Sequence, residues 1–378
     1  MKKLIALLIA LATVITLTAC KKNKKYEPVS STEEEAQTVM TLRIDGHSYE
    51  VKYELYRAFF LTYKNQIDGG NDGVWSGEDK DAYVEKINSL ALEKIAEIYS
   101  AFAICERIGF DVYSKDVESK IKENIKISVE GGSYGGSTVE GYDSYEDYLA
   151  ALKEMYLNYS VQTLLFRYAI AIDAIDAYYI GTATPDDVNY DIKVGTIEYT
   201  KDTVRNFYYS DECTRVLRTS FQKAISYTPY EKALALKEKL EAAAASKDTL
   251  EEKETAVFNA IMGSELYANA AEIKNGYVIG KYNLDRGYYL DMTNAAFEIS
   301  EGEVSNPISI VTDVENSYYV LYRTYKSDAH FEENYDSIRY VYLTNYVGKI
   351  THGVMDELIS SVDYTDFFNN INHSEIGM

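Results

Sequence analysis

From Val84 to Cys105 apolar residues recur every three or four positions, at Val84, Ile87, Ala91, Ile95, Ile98, Phe102 and Cys105, and the run stops at Gly109. A stripe this long with a helical period commits the segment to an amphipathic helix whose apolar face other elements must bury. Further stripes supply those partners. Glu50 to Asn65 carries Val51, Leu55, Phe59 and Phe60. Ser114 caps a helix with Val117, Ile121 and Ile125 on one face, and Ser144, with Asp147 at N3, caps one bearing Tyr148, Leu149, Leu152 and Met155. Val161 to Ile180 is almost wholly apolar and about long enough to cross a bilayer, yet Arg167, Asp173 and Asp176 interrupt it. Such charges are costly in lipid, so the segment reads as the buried helix of a bundle.

Thr38 to Ser48 alternates and ends in a glycine turn, which predicts a short strand. Asp68 to Asp79 reads as a loop, Glu130 to Gly141 as a flexible connection, and Thr184 to Asp187 as a helical start with Pro185 at N1. Tyr209, Ser210 and Asp211 break the helical pattern, and a different rhythm begins at Thr214. Strands are expected at Arg215 to Phe221, Tyr277 to Tyr282, Pro307 to Val311 and Ser317 to Arg323. Helices are expected from Thr228, read as a capping box with Pro229 at N1, from Thr249 with Glu252 at N3, and over Asp291 to Phe297. From Phe331 one apolar face runs through Tyr335, Ile338, Tyr342, Tyr346, Ile350, Met355 and Leu358. The fold class is therefore mainly α with an α+β insert, a β-α-α-β-α-β-β block held between helical segments.

The first twenty residues, MKKLIALLIALATVITLTAC, carry a charged start at Lys2 and Lys3, an apolar stretch from Leu4 to Leu17, and small residues before Cys20. This is the pattern of an export signal over 1–20. Its LTAC ending is similar to the lipobox of bacterial lipoproteins, which implies lipidation of Cys20; an ordinary secretory signal or a retained anchor helix is the alternative. Residues 21–37 open with four lysines and continue as a polar stretch, which reads as a tether near anionic headgroups with a span of roughly 20–25 Å. The expected location is the extracytoplasmic face of a membrane. Beyond Cys20 the chain has only Cys105 and Cys213, which read as two separate inert thiols.

Lys and Arg number 38 against 60 Asp and Glu, a net charge of −22, and loss of Lys2 and Lys3 with the signal leaves 36 against 60, or −24. A body this acidic argues against nucleic acid as a partner. Tyrosine, at 37 residues against 12 Phe and 1 Trp, suits partly wet binding surfaces and serves equally as a filler of core and surface. The four histidines are His47, His330, His352 and His373, with no HxxxH or CxxC pairing, no GxSxG, no GxGxxG and no P-loop. No metal and no cofactor is expected, and Glu33–Glu35 and Glu251–Glu252 read as solvated faces.

Several of these segments share an ordered resemblance. Leu92 to Ile121 and Gly141 to Leu157 in the helical part, then Asn275-Gly276, Ile279-Gly280, Arg286-Gly287, Ala295-Ala296-Phe297 and Gly302-Glu-Val-Ser-Asn-Pro307, resemble in order the secreted SurA/PrsA-type foldases. In these a helical chaperone domain flanks one or more parvulin-type prolyl isomerase domains. The resemblance implies a helical chaperone domain over 38–210, a parvulin-like domain over 213–326, and a C-terminal helical segment, 331–378, packing back on the chaperone domain. It puts the proline-binding cup on Tyr288, Met292 and Phe297. One family histidine follows a V-x-A-x-H-I-L strand that aligns with VLRTSF and falls on Thr219; the other falls on Tyr319, beside the cup. The acid or thiol position finds no secure match, with Asp248 as a weak guess.

No histidine lies between Ser48 and Ala329, so neither family histidine is present in the block. Two readings stay open: a membrane-tethered chaperone that binds unfolded exported polypeptides, and an active prolyl isomerase with a non-standard site on Tyr288, Met292, Phe297 and Tyr319. A third, an extracellular solute-binding lipoprotein, is weaker because repeated βα units are missing.

Overall fold

Chain segments with helical stripes and segments with strand rhythm sort into two units, Met1–Asp176 with Thr351–Met378, and Ala177–Ile350. The computed structural model describes residues 26, 28–68, 80–134, 137–181, 196–197, 199–222, 228–264, 274–282, 290–311 and 316–376. The described residues are mostly helical with small antiparallel sheets.

In the first unit, strands β1 (Thr38–Ile44) and β2 (His47–Lys52) form a hairpin across Asp45 and Gly46, whose φ values of 52° and 79° belong to a two-residue turn that Asp-Gly favours. The sequence reading had only the first of these strands and began the helix at Glu50. Burial of Tyr49 and Val51 shows a two-residue period through Lys52, and α1 (Tyr53–Asp68) starts after it. The stripe from Ile87 to Cys105 is buried along α2 (Lys80–Arg107), which ends at Gly109 with φ +77°. Helices α3 (Lys115–Glu130), α4 (Tyr145–Glu154) and α5 (Tyr159–Tyr179) share a core of Val117, Ile121, Ile125, Tyr148, Leu152, Phe166 and Ile170. Ser114 and Ser144 cap as expected, accepting from Val117 N and Asp147 N. Arg167 is buried within α5, and its charge meets Glu118 at 2.6 Å and the Val112 carbonyl at 2.6 Å. No helix among the described residues is long and apolar enough to cross a membrane.

One expectation here needs correction. The connection at 130–141 contains a small hairpin, β3 (Gly132–Tyr134) with β4 (Ser137–Val139). The described part of the stretch read as a tether makes hydrogen bonds within itself and from Tyr26. The Thr32 N–H donates to Glu35 Oε2 at 2.9 Å, the Glu35 N–H returns to Thr32 Oγ1 at 3.2 Å, and the Tyr26 hydroxyl donates to Glu130 at 2.7 Å. The signal segment and Cys20 lie outside the described residues.

The second unit is built on a four-stranded antiparallel sheet. Helix α6 (Lys201–Tyr209) leads into β5 (Cys213–Gln222), then α7 (Pro229–Ala245), α8 (Leu250–Met262), β6 (Tyr277–Gly280), α9 (Leu290–Glu298), β7 (Ile308–Val311) and β8 (Asn316–Thr324). From 213 to 324 the described elements run β-α-α-β-α-β-β, and the strand order is β6-β5-β8-β7. Thr249 forms its capping box with Glu252, whereas Thr228 makes no side-chain cap bond, because its ψ of 62° leaves the extended range that aims a hydroxyl at N3. Leu217, Val320 and Tyr322 pack under α7 and α8 with Leu236, Leu240, Val257 and Ile261.

Helices α10 (Asp328–Glu333) and α11 (Tyr335–Ser360) complete the unit, and Phe331 and Ile338 pack with Val204, Phe207, Tyr208 and Cys213. The expected boundaries at 210 and 331 therefore fall inside this unit, and the return to the first comes at Thr351. There the closing strand β9 (Asp363–Tyr364) pairs with β1, and Phe368 on α12 (Asp366–Asn369) packs edge-on to Tyr56 at 5.2 Å. Cys105 and Cys213 are both buried and unbridged, and burial pushes both thiols up to about 12.

Arg215, 4% exposed, ties the sheet together: it pairs with both oxygens of Glu254 on α8 at 2.8 and 3.0 Å and donates to the carbonyls of Asn275 and Tyr325. Beside it lies His330, whose Nε2 sits 2.7 Å from the Asn275 carbonyl and Nδ1 2.9 Å from the Tyr208 hydroxyl. A carbonyl only accepts, so Nε2 carries the proton and Nδ1 accepts from Tyr208. Burial first, and the Arg215 charge second, push the His330 pKa down to about 4.

Two outcomes are expected. Because the folded pKa of His330 lies below its free value of 6.5, the neutral ring's contribution is fully present above pH 6.5. It is lost as pH falls towards 4, where the unfolded chain takes up a proton that the fold refuses. Urea midpoints of wild type should fall more steeply over that window than those of His330→Gln, by an amount on the order of 2–3 kcal/mol; parallel curves would contradict this. On α11, a methyl at Gly348 would collide with the Tyr282 carbonyl oxygen, so Gly348→Ala should cost about 1–3 kcal/mol. An unchanged urea midpoint would show that the helix does not pass so close.

Candidate functional site

Strand β5 pairs with β8 from Arg215↔Thr324 to Gln222↔Ser317, and directly opposed residues share a face. One face therefore takes Leu217, Thr219, Phe221, Tyr318, Val320 and Tyr322, and it is the face covered by α7 and α8. The other takes Val216, Arg218, Ser220, Tyr319, Leu321 and Arg323, and α9 lies across it. On that second face Met292 and Ala296 of α9 pack with Val216, Tyr319 and Leu321, while Tyr277, Ile279 and Ile308 border the cluster. Met292 is 4% exposed and Tyr319 8%.

Of the residues proposed for the proline cup, Met292 and Tyr319 are thus brought together. Phe297, one position beyond Ala296 and so rotated about 100° around the helix, is partly buried and outside the cluster. Tyr288 lies outside the described residues, and Asp248 is exposed between α7 and α8. Thr219, taken as the first histidine position, is on the wrong face, buried opposite Val320 under α7 and α8. The residue that stands opposite Tyr319 is Ser220. Counting two residues per repeat from Val216 passes Arg218 and reaches Ser220, so the strand's own period was the signal that could have found it.

The segment Gly302 to Pro307 has a definite task at this face. Gly302 takes φ +88°, and its N–H donates to the Arg323 carbonyl at 2.8 Å. The Arg323 N–H returns to the Glu303 carbonyl at 3.0 Å, and Ser305 bonds Leu321 through both its backbone N–H and its hydroxyl, at 2.8 and 3.0 Å. The segment runs beside β8 and delivers Ile308 to the edge of the cluster.

Sequence reasoning missed Arg218. Its guanidinium carbon lies 3.6 Å from the Tyr277 ring centroid and 6.0 Å from that of Tyr319, and Nη1 is 3.9 Å from Met292 Sδ. The site is an apolar, tyrosine-lined face with Arg218 beside the cluster, Arg323 on the same face being bonded to the Phe297 and Ile299 carbonyls, and no histidine or carboxylate among its described members. Val216, Ala296 and Leu321 are fully buried under α9, so what remains open to a ligand is the half-buried border of Tyr277, Ile279 and Ile308 beside Arg218. His330 does not serve it, being spent on Tyr208 and Asn275.

The first unit holds a cavity of about 230 Å³ lined in part by Glu54, Tyr99, Tyr113, Ser160, Thr163 and Arg167. Its charges are committed to the fold: Glu54 accepts from Asn158 at 2.7 Å and Ser160 at 2.5 Å, and Arg167 holds Glu118. No group of three or more His, Cys, Asp or Glu suited to a metal comes together among the described residues.

No family model matches this chain, and no curated protein matches it. Among solved structures, the chain is similar to the foldase protein PrsA from Streptococcus pneumoniae str. Canada MDR_19A. The identity is 13% and the TM-score 0.23, over 88% of this chain and 98% of that one. It is also similar to the foldase protein PrsA from Lactococcus lactis, at 14% identity and a TM-score of 0.22, over 87% of this chain and 95% of that one. At such TM-scores neither lends this chain a function.

Proposed function

We propose that this chain is a membrane-anchored extracytoplasmic chaperone that binds unfolded exported polypeptides, and that its sheet unit is a parvulin-like domain working as a peptide-binding surface. The observation that carries the reading is the margin of the α9 face: over a buried core of Met292, Ala296, Tyr319 and Leu321, the half-buried Tyr277, Ile279 and Ile308 border Ser220 and Arg218, with no histidine. Rotation about an X–Pro bond meets a barrier of roughly 20 kcal/mol, and no net proton transfer is needed to cross it. What lowers that barrier in a protein site is preorganised polarity around the amide. Here the family's two histidines are absent from the block, while an apolar border of Tyr277, Ile279 and Ile308 stays half-exposed beside Arg218. Binding survives such a change and turnover does not.

Supporting features are the β-α-α-β-α-β-β order and the Gly302–Pro307 segment beside β8. The export pattern ending at Cys20 supports a location outside the cytoplasm, with a lipid on Cys20 as the proposed anchor. The acidic body, at −22, disfavours self-association and acidic clients in general.

The test uses the chain starting after Cys20 and a client that contains no proline. Light scattering of the diluted, unfolded client should be suppressed at stoichiometric chaperone, and Tyr277→Ala or Ile308→Ala, each checked for an intact fold by circular dichroism, should weaken the suppression several-fold. Equal scattering with and without the wild-type chain would overturn the proposal. Undiminished suppression by both variants would move binding away from this face.

A further inference from the structure

Arg218 is the exception among the described arginines of its unit. Arg205 pairs with Asp328 and Glu332, Arg215 with Glu254, and Arg339 with Asp336. Arg323 donates to the Phe297 and Ile299 carbonyls at the end of α9. Arg218 meets no carboxylate among the described residues, in a chain where acids outnumber bases by 60 to 38. Its flat face is taken by the Tyr277 ring, which leaves the in-plane N–H groups. Of these the structure gives a partner to one nitrogen, the Met292 thioether at 3.9 Å, a weak acceptor. A guanidinium stacked on an aromatic ring with its edge open is the arrangement that receives a carboxylate, and partial burial makes the pair stronger than one in open water.

We infer that Arg218 anchors an acidic side chain of a bound polypeptide, so that the face under α9 selects segments in which Asp or Glu stands next to apolar or aromatic residues. The inference rests on that face being the client site proposed above. Charge complementarity names the occupant, since the half-buried apolar border of Tyr277, Ile279 and Ile308 takes the neighbouring side chain and Arg218 takes the charge. A side chain fits better than a chain terminus. Arg218 lies in the middle of the strand Cys213–Gln222, so a peptide that reaches it while covering the face must pass over it in both directions. The acidic body repels a negatively charged client elsewhere, which makes Arg218 a register mark along the bound chain.

The experiment uses the chain starting after Cys20 and three dansyl-labelled peptides of one apolar, tyrosine-containing sequence. The first has an internal Glu and an amidated end, the second Gln at that position and an amidated end, the third Gln and a free C-terminal carboxylate. The Glu peptide should bind about tenfold more tightly than the amidated Gln peptide, the loss of one charge-assisted pair. That ratio should collapse towards one in Arg218→Gln and stay near tenfold in Arg205→Gln, a control for net charge. Equal affinity of the two amidated peptides in the wild-type protein overturns the inference without any variant, and leaves the proposed function standing as long as both bind. Tightest binding of the free-ended Gln peptide overturns the side-chain assignment. If none of the three binds while the unfolded client is still protected, the face is not the client site, and the inference fails with it.

Discussion

The antiparallel pairing of β5 with β8 is the constraint from which the second unit follows. It runs unbroken from Arg215↔Thr324 to Gln222↔Ser317, and because side chains alternate, a slip of one residue would exchange the two faces entirely. With the observed register Leu217, Val320 and Tyr322 meet α7 and α8, while Val216, Tyr319 and Leu321 meet α9. Arg215 holds that register from inside. Its two-pronged bond to Glu254 fixes α8 against the strand, Thr324 bonds the same carboxylate, and the Asn275 carbonyl brings in the turn before β6. Gly276 completes the turn at φ +71°, where a methyl would stand 3.0 Å from the Val216 carbonyl.

Most of the helical architecture was legible because burial on one side leaves a direct imprint on spacing. The stripe from Ile87 to Cys105 and the caps at Ser114, Ser144 and Thr249 are local signals with local causes. What escaped was either ambiguous or non-local. Val51 and Leu55 fit a helix and a strand alike, so β2 was absorbed into the helix that follows. Pairing of Asp363 and Tyr364 with β1 joins residues more than three hundred positions apart, and no window along the chain carries it. Thr228 has the composition of a cap but not the backbone angle.

At the candidate site the sequence pattern reached two neighbouring apolar residues and not the cation beside them. Met292 and Tyr319 were named from their place in a pattern, and the sheet brings them together. Thr219 was misplaced by one residue, which on a strand is the largest error available, since it crosses the sheet. Arg218 carries no motif: its significance comes from the lack of a carboxylate beside it among the described residues, which only the placed neighbours show. The same holds for His330, an ordinary surface residue by composition that burial and Arg215 turn into a neutral structural ring.

The central claim is that this face grips polypeptide without accelerating prolyl rotation. Exchange NMR on a short peptide with one Tyr-Pro bond, at saturating protein, tests it most directly. Peptide resonances should broaden and shift on binding while the cis and trans forms still interconvert over tens of seconds or longer, as they do free in solution. Cis–trans cross-peaks on the sub-second scale, lost in Met292→Ala, would contradict the account and show that the face catalyses rotation without a histidine.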